Sequence, residues 1–523
     1  MGAIQIKVKL KQENKILYAY ENESVSVSDC LIRNGLFLPT ICGGRGICGK
    51  CRIRVHEGDI AVSDADTKFF SKEELDQGFR LACKAYPKEA CTIELIGIEN
   101  DFYVVSEYTS EKESSAASVI EDVEFIIAVD LGTTTIAMQL VGFETKKVYA
   151  TYTALNRQRE YGADVLSRIN AANSGKKEQL QKAVLEELEK GISELGKETK
   201  VIREIVIGGN TTMLHLLLGY SCEKLGVYPF EAQNLDRIQT TYKEIFHMVD
   251  TAFNSRGCQR MENVPVVILP GISAFVGADV TAGLLNCGFI LTDKVAAFID
   301  LGTNGEMAVG NKNRILVTSA AAGPAFEGGN ISSGTGSVAG AICHAMITDG
   351  EMHLETIGNE APVGICGTGV VDVVYELLKN GIIDETGLIE DEYFELGYPI
   401  ISSISITQKD IRELQLAKAA IRAGFETLLN AYGITYENLD KIYVAGGFGY
   451  KLDIKKAVGI GLFPKECLSK IETVGNSSLA GAIQYVTQRE RMKEIDEFMR
   501  GISVIQLADS DFFHEKYLEN MNF

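Results

Sequence analysis

The stretch EFIIAVDLGTTTIAMQLVG, residues 124–142, decides how the larger part of the chain folds. Its first apolar run predicts a strand that ends in a Gly-Thr turn, and the apolar residues after the turn predict further strands. The stretch VAAFIDLGTNGEMAVG, residues 295–310, repeats this pattern almost position by position. The repeat indicates an internal duplication, in which two halves of the chain have the same order of elements.

Both halves continue with strands that alternate with helices. The first half contains EIVIGGNTTMLHLLLG (204–219) and VPVVILPGISAFVGADVTAGLL (264–285), and the second contains the similar KIYVAGGFG (441–449) and KIETVGNSSLAGAIQY (470–485). This alternation predicts an α/β sheet that contains parallel strands. One helix face is predicted from the spacing of Leu180, Val184, Leu188, Ile192 and Leu195. We expect residues 319–440 to be an extended insertion in the second half.

The stretch CGGRGICGKC, residues 42–51, places three cysteines and four glycines in ten positions, and a fourth cysteine follows at Cys83. Four thiolates at this spacing can hold Zn²⁺ or an iron–sulfur cluster. A zinc ribbon usually has two C-x₂-C pairs, whereas the fourth cysteine here stands alone, which favours a [2Fe–2S] cluster. The flanking segments predict a β-hairpin, a short helix and further strands, and so a small mixed sheet.

Length and charge limit the possible functions. A chain of 523 residues is too long for one core and should form several domains. Its net charge of −20 argues against nucleic acid and anionic membranes as partners. Without a signal peptide or a long apolar run, the twelve cysteines indicate a cytoplasmic protein with reduced thiols. We expect the eight scattered cysteines to be buried hydrophobes, and the Ser- and Glu-rich residues 99–123 to be a linker.

The cysteine pattern resembles that of [2Fe–2S] ferredoxins. Its first gap of five residues is similar to the adrenodoxin type and departs from the four-residue gap of the plant type. The resemblance implies a β-grasp ferredoxin domain over residues 1–98. It also implies that the cluster ligands are Cys42, Cys48, Cys51 and Cys83.

The two acidic turns carry residues suited to phosphate chemistry. A strand-end Asp followed by Gly and hydroxyl residues can hold hydrated Mg²⁺ while backbone amides contact phosphate oxygens. With VAGGFG, the turns resemble the phosphate and adenosine motifs of the sugar-kinase, heat-shock-chaperone and actin superfamily. The resemblance implies a duplicated RNase H/actin-like α/β ATPase domain, with lobes at 124–293 and 294–523 and ATP with Mg²⁺ between them.

That resemblance also assigns roles to individual residues. Phosphate contacts are implied for Gly132, Thr133, Thr134, Gly302, Thr303 and Asn304, metal and water binding for Asp130 and Asp300, and adenosine contacts for Gly446, Gly447 and Phe448. Other segments are less easily interpreted, among them NRQREYGADVLSRI (156–169) and AAAGPAFEGGNISSG (320–334). We select Glu327 as a third catalytic candidate, with a purely structural role as the alternative. His215 is expected to be a packed core residue.

A ferredoxin domain followed by an actin-like ATPase resembles the reductive activators of corrinoid proteins, over essentially the whole chain. The resemblance implies ATP-dependent, one-electron reduction of Co(II) to Co(I) through the cluster. It implies a corrinoid methyl-transfer protein and a reduced electron donor as partners. The alternatives are an ATP-driven activator of another low-potential enzyme, a client-binding ATPase with a redox module, and a sugar or acetate kinase. The sequence does not identify the particular partner, the donor or the oligomeric state.

Overall fold

The computed structural model describes residues 3–9, 14–20, 25–33, 46, 49, 51–96, 122–162, 164–196, 201–249, 261–446 and 452–523. Most of the predicted linker, and the site candidates Cys42, Cys48, Gly447 and Phe448, lie outside these residues. None of the helices in the described ranges is long and apolar enough to cross a membrane.

The N-terminal part forms a five-stranded mixed sheet of order β2-β1-β5-β3-β4. Its elements are β1 (Ala3–Lys9), β2 (Asn14–Tyr20), α1 (Val27–Arg33), β3 (Arg52–Glu57), α2 (Lys72–Asp76), β4 (Phe79–Leu81) and β5 (Cys91–Leu95). In β1, Ile4, Ile6 and Val8 are buried and the residues between them are exposed, as the alternating sequence predicts. The strands β1 and β2 pair antiparallel, which confirms the predicted hairpin.

The next part, lobe I, is built on a six-stranded sheet of order β10-β11-β9-β6-β7-β8. Its elements are β6 (Glu124–Leu131), β7 (Thr135–Gly142), β8 (Val148–Leu155), α3 (Val165–Ala171), α4 (Lys177–Leu195), β9 (Val201–Gly209), α5 (Thr211–Leu218), β10 (Ile238–Thr241), α6 (Tyr242–Ile245), β11 (Pro265–Ile268) and α7 (Ala278–Asn286). The five apolar residues predicted to share one face of α4 are all buried.

The last part, lobe II, has a six-stranded sheet of order β21-β20-β12-β13-β14-β22. Its elements are β12 (Ala296–Leu301), β13 (Gly305–Asn311), β14 (Arg314–Ala320), β15 (Ala341–Thr348), β16 (Glu351–Thr356), β17 (Gly364–Ile365), α8 (Gly367–Lys379), β18 (Tyr398–Ile401), β19 (Ile404–Ile406), α9 (Gln408–Tyr432), β20 (Ile442–Ala445), α10 (Ile454–Gly459), β21 (Ile471–Gly475), α11 (Ser477–Thr487), α12 (Met492–Arg500), β22 (Ile502–Val504) and α13 (Asp511–Glu519).

The two large sheets share the strand order that the sequence repeat predicts. The order β11-β9-β6-β7-β8 in lobe I corresponds to β21-β20-β12-β13-β14 in lobe II. The helix α9 packs on β13 and β14, as α4 packs on β7 and β8. Because α9 repeats the place of α4, we propose that the insertion ends before α9 and is shorter than residues 319–440.

The lobes meet where α7 packs against α11. A Cβ atom on Gly481 of α11 would lie 1.9 Å from the carbonyl oxygen of Ala282 on α7, so only glycine allows this approach. On the other helix, a Cβ atom on Gly283 would lie 2.3 Å from the ring of Phe298. The helices therefore cross at backbone distance, and their N-terminal ends carry Asp279 and the capping residue Asn476.

Candidate cluster site and nucleotide cleft

Two of the predicted cluster ligands lie side by side. Cys51 directly precedes β3 and Cys83 lies two residues after β4, and these strands pair with Arg52 opposite Leu81. The sulfur atoms of Cys51 and Cys83 are 3.3 Å apart, buried, and not joined by a disulfide. Two thiols held this close without a bond between them suit adjacent ligands of one iron.

The described glycines of the cysteine loop have conformations that favour glycine. Gly46 and Gly49 have φ of +76° and +67°, in the left-handed region. A Cβ atom on Gly49 would lie 2.4 Å from the ring of Phe69. The Arg52 side chain donates to the Gly49 carbonyl over 3.0 Å and holds the loop against β3. The residues present therefore fit a [2Fe–2S] cluster.

The cysteines outside the ligand pattern are mostly buried, as predicted. Cys30, Cys91, Cys222, Cys366 and Cys467 are buried, Cys287 and Cys343 are half-buried, and Cys258 lies outside the described residues. Burial raises the pKa of Cys91 to about 11, so this thiol stays protonated at neutral pH. A protonated, buried thiol behaves as a small hydrophobe.

The first acidic turn, between β6 and β7, is held by side chains from elsewhere in lobe I. The Asn156 amide donates to the Gly132 carbonyl over 2.8 Å. The Asn210 amide donates to the Thr133 hydroxyl over 2.9 Å. The guanidinium of Arg168, which is fully buried, donates to the Thr133 carbonyl over 2.5 Å. These three side chains, from three different elements, hold the turn in place.

The second acidic turn, between β12 and β13, has different support. The Thr303 hydroxyl donates to Glu327 Oε1 over 3.0 Å. Glu327 ends a 3₁₀-helix at Pro324–Glu327 and is solvent-exposed. Surrounding protein still removes enough water from the cleft to raise the pKa of Glu327. The structure thus brings the third catalytic candidate to the predicted phosphate turn.

Carboxylates from both lobes converge in the cleft. Asp130 and Asp300 end β6 and β12, Asp279 lies in the first turn of α7, and Glu306 lies on β13. Burial raises the pKa of Asp300 to about 7, with repulsion from Asp279 and Asp130 adding to the shift. Burial likewise raises the pKa of Asp279 to about 6. A bound cation would relieve this repulsion, although no three such groups in the described ranges form a preassembled metal site.

Sequence reasoning missed Asp279, Glu306 and Asn476. The Asn476 amide donates to Asp130 Oδ2 over 2.8 Å, from the lobe opposite to that of the carboxylate. Glu306 is an acidic residue directly before the apolar residues of β13, and that contrast is the one sequence signal that could have found it.

Gly446, directly after β20, allows the segment that is predicted to face the adenosine to approach the acidic strand end. Its φ is +92°, and a Cβ atom there would lie 2.7 Å from Asp300 Oδ1 and 2.6 Å from the Leu301 carbonyl oxygen. A side chain at this position would therefore displace the carboxylate of Asp300.

His215 is a packed core residue, as predicted. It is buried, and its Nε2 accepts from the Gln233 backbone amide over 3.0 Å. Nδ1 must then carry the proton that it donates to the Thr211 carbonyl over 2.8 Å. Burial lowers the pKa of His215, which favours the neutral form of the ring.

The chain matches three protein families along its length. Residues 12–88 match the 2Fe-2S iron-sulfur cluster binding domain. Residues 125–291 match the RACo middle region, and residues 294–523 match the C-terminal domain of RACo, the ASKHA domain. These matches confirm the predicted fold class and the predicted cofactors, a [2Fe–2S] cluster and ATP with Mg²⁺.

Individual relatives extend over most of the chain. A [Co(II) methylated amine-specific corrinoid protein] reductase of Methanosarcina barkeri is 29% identical over 76% of both chains. A solved structure titled reductive activator for corrinoid,iron-sulfur protein is 29% identical, covers 99% of this chain and 98% of its own, and has a TM-score of 0.67. The corrinoid activation enzyme RamQ of Eubacterium limosum is 30% identical over 95% of this chain and 96% of its own. The chain therefore belongs to the family of reductive activators of corrinoid proteins.

Proposed function

We propose that this protein reduces the inactive Co(II) state of a corrinoid protein to Co(I) by one electron, with ATP driving the reaction. The observation that supports it most is the combination, in one chain, of thiols at ferredoxin spacing and an acidic cleft between duplicated lobes. The first feature suits electron transfer and the second suits nucleotide binding. A reduced electron donor and a corrinoid methyl-transfer protein complete the reaction, which we place in the cytoplasm.

The N-terminal domain is proposed to hold the redox centre through Cys42, Cys48, Cys51 and Cys83. The cluster supplies one electron at low potential when it is bound. The buried Asp66 carboxylate accepts from the Leu81 backbone amide over 2.7 Å and keeps the end of β4, which leads to Cys83, in place. Lys84 lies close to Gly46 and adds a positive charge beside the loop.

The cleft is proposed to hold ATP between its two acidic turns. Gly132, Thr133, Thr134, Gly302, Thr303 and Asn304 would contact the phosphates, Asp130 and Asp300 would bind hydrated Mg²⁺, and Gly446, Gly447 and Phe448 would face the adenosine. Glu327 bonds to Thr303 and is open to solvent, so it can orient the water that attacks the terminal phosphate.

Energetics explain why both chemistries belong in one chain. Clusters of the plant ferredoxin type have potentials near about −400 mV, and Co(II) in a corrinoid is harder to reduce. A gap of about 200 mV would cost roughly 5 kcal/mol for one electron. ATP binding and hydrolysis can overcome this cost by favouring one state of the complex over another, without phosphorylating any partner.

The test mixes the protein with a Co(II) corrinoid protein, a chemical reductant and MgATP, and follows the Co(I) absorption band. We expect the band to grow with ATP and to be absent with ADP. Cys83→Ser should abolish it by preventing cluster assembly. Cys91→Ser is the matched control, because Cys91 is buried and outside the ligand pattern.

Two results would contradict the proposal. Growth of the Co(I) band at the same rate without nucleotide would show that ATP does not drive the reduction. Transfer of the γ-phosphate to a sugar or to acetate, with no Co(I) formed, would identify a kinase instead.

A further inference from the structure

Arg159 lies on a short 3₁₀-helix, Arg157–Glu160, that follows β8 of lobe I. This helix is tied to the first phosphate turn by its capping residue Asn156. The Asn156 amide donates to the Gly132 carbonyl over 2.8 Å, and its backbone N–H donates to the Thr134 carbonyl over 3.0 Å. The position of Arg159 is therefore fixed relative to the residues proposed to contact phosphate.

The two arginines of this helix differ in their partners. Arg157 forms ion pairs with Glu160 over 3.4 Å and with Glu186 over 3.1 Å. In the part of the chain that the structure describes, the Arg159 guanidinium forms no hydrogen bond and no ion pair, although it is half-buried. A guanidinium has five N–H donors, and leaving them unsatisfied away from bulk water is costly unless a ligand completes the site.

The charges around Arg159 indicate the kind of ligand. The positive charge of the buried Arg168 guanidinium repels that of Arg159. Across the cleft, the carboxylate of Glu327 attracts it, and each charge counteracts part of the effect of burial on the pKa of the other. Arg159 of lobe I thus faces the residue that contacts Thr303 in the second phosphate turn. An anion bound between the two turns would accept hydrogen bonds from the Arg159 guanidinium.

We propose that Arg159 binds the terminal phosphate of ATP and so makes the cleft distinguish ATP from ADP. In the nucleotide-free protein, the charge of the Arg159 guanidinium is compensated at a distance by the Glu327 carboxylate. When ATP is bound, the guanidinium donates hydrogen bonds directly to the terminal phosphate. Guanidinium groups suit this role because they bind phosphate oxygens through two parallel N–H donors. This role rests on the proposed nucleotide site and adds a residue to it.

Calorimetric titration with Mg²⁺ and either the non-hydrolysable triphosphate AMPPNP or ADP tests the proposal. For Arg159→Gln we expect AMPPNP affinity to fall about 10- to 100-fold, the range for losing hydrogen bonds to a charged group, and ADP affinity to change less than about threefold. Arg159→Lys should recover part of the loss. Arg157→Gln, a neighbour on the same helix, should leave both affinities unchanged.

Several outcomes would overturn the proposal. Equal losses for AMPPNP and ADP, with an unchanged melting temperature, would make Arg159 a general structural or electrostatic residue. An unchanged affinity for both AMPPNP and ADP would show that Arg159 does not contact the nucleotide. If the wild-type protein bound neither nucleotide, the proposed function itself would fail, which is distinguishable because the failure would precede any substitution.

Discussion

The two acidic turns of the duplicated lobes have nearly the same sequence but different surroundings. In lobe I, three side chains from three separate elements hold the turn, and one of them, Arg168, is fully buried. In lobe II, the described side chain that bonds to the turn is the exposed Glu327. The two lobes therefore share the sequence of the turn but not the side chains that hold it in place. We infer that lobe I presents a rigid surface, while the turn of lobe II can adjust to what is bound.

The strongest test of this comparison replaces the aspartate near the end of each strand, in the variants Asp130→Ala and Asp300→Ala. We expect either change to reduce ATP-dependent Co(II) reduction by about a hundredfold or more, because metal-assisted charge stabilisation is lost. The readout is the initial rate of Co(I) formation at saturating partner. Ser503→Ala, on the distant edge strand β22, is the control. Retained activity in both aspartate variants would show that the cleft takes no part in the reaction.

Breaking the support of the first turn should lower stability. Arg168→Met removes the donor to the buried Gly162 carbonyl and to the half-buried Thr133 carbonyl, and leaves both acceptors unpaired. Each unsatisfied acceptor costs about 1–3 kcal/mol, so we expect the free energy of unfolding to fall by about 2–5 kcal/mol. Denaturant titration measures it, with Arg157→Met as the half-exposed control. An unchanged free energy would mean that the turn does not depend on this residue.

Lobe II contains a buried basic side chain of its own, Lys418, and its contribution to stability should depend on pH. Lys418 is 1% exposed and donates to the Asn522 carbonyl, and burial lowers the pKa of its ammonium to about 7. Between about 7 and the ordinary value of 10.5, the unfolded chain binds one more proton than the folded chain. Stability contributed at this site therefore rises with pH across that window, by up to about 1.4 kcal/mol per pH unit.

The measurement compares melting temperatures of the wild type and Lys418→Met between pH 7 and 10. The difference between the two proteins should change steadily in favour of the wild type as pH rises. Parallel curves would show that Lys418 keeps its proton throughout. Lys455→Met, at an exposed position of α10, provides the control for removal of one lysine charge.

The smallest stability effect is expected at the second turn. Glu327→Gln should change the free energy of unfolding by less than about 0.5 kcal/mol, because an exposed side chain contributes little. It should nevertheless slow ATP hydrolysis, which is followed as phosphate release. A large loss of stability would show that the second turn is held as firmly as the first.

The sequence predicted those features that depend on neighbouring residues. The strand–turn–strand repeat, the C-x₂-C spacing and the helix face of α4 are local patterns, and they identified the lobes, the thiols and a core helix. Asn156, Arg168 and Asn210 were not predicted as supports, because each reaches the first turn from a different element through the tertiary fold. For a similar reason the end of the insertion at residue 440 stays a prediction, and we propose an end before α9. The 25 residues of α9 and the 19 of α4 share a position on the sheet but little sequence.

Gly481 and Ala282 bring the helices α11 and α7 into close contact where the two lobes meet. Asp279 and Asn476 lie at the N-terminal ends of the two crossing helices, so the carboxylates of the cleft lie close to the place where the lobes are in contact. Arg159 and Glu327 lie on short 3₁₀-helices of opposite lobes. A change in how α7 and α11 cross would change the distance between Asn476 and Asp130, whose hydrogen bond joins the two lobes. We infer that any movement between the lobes is coupled to the acidic residues through this hydrogen bond.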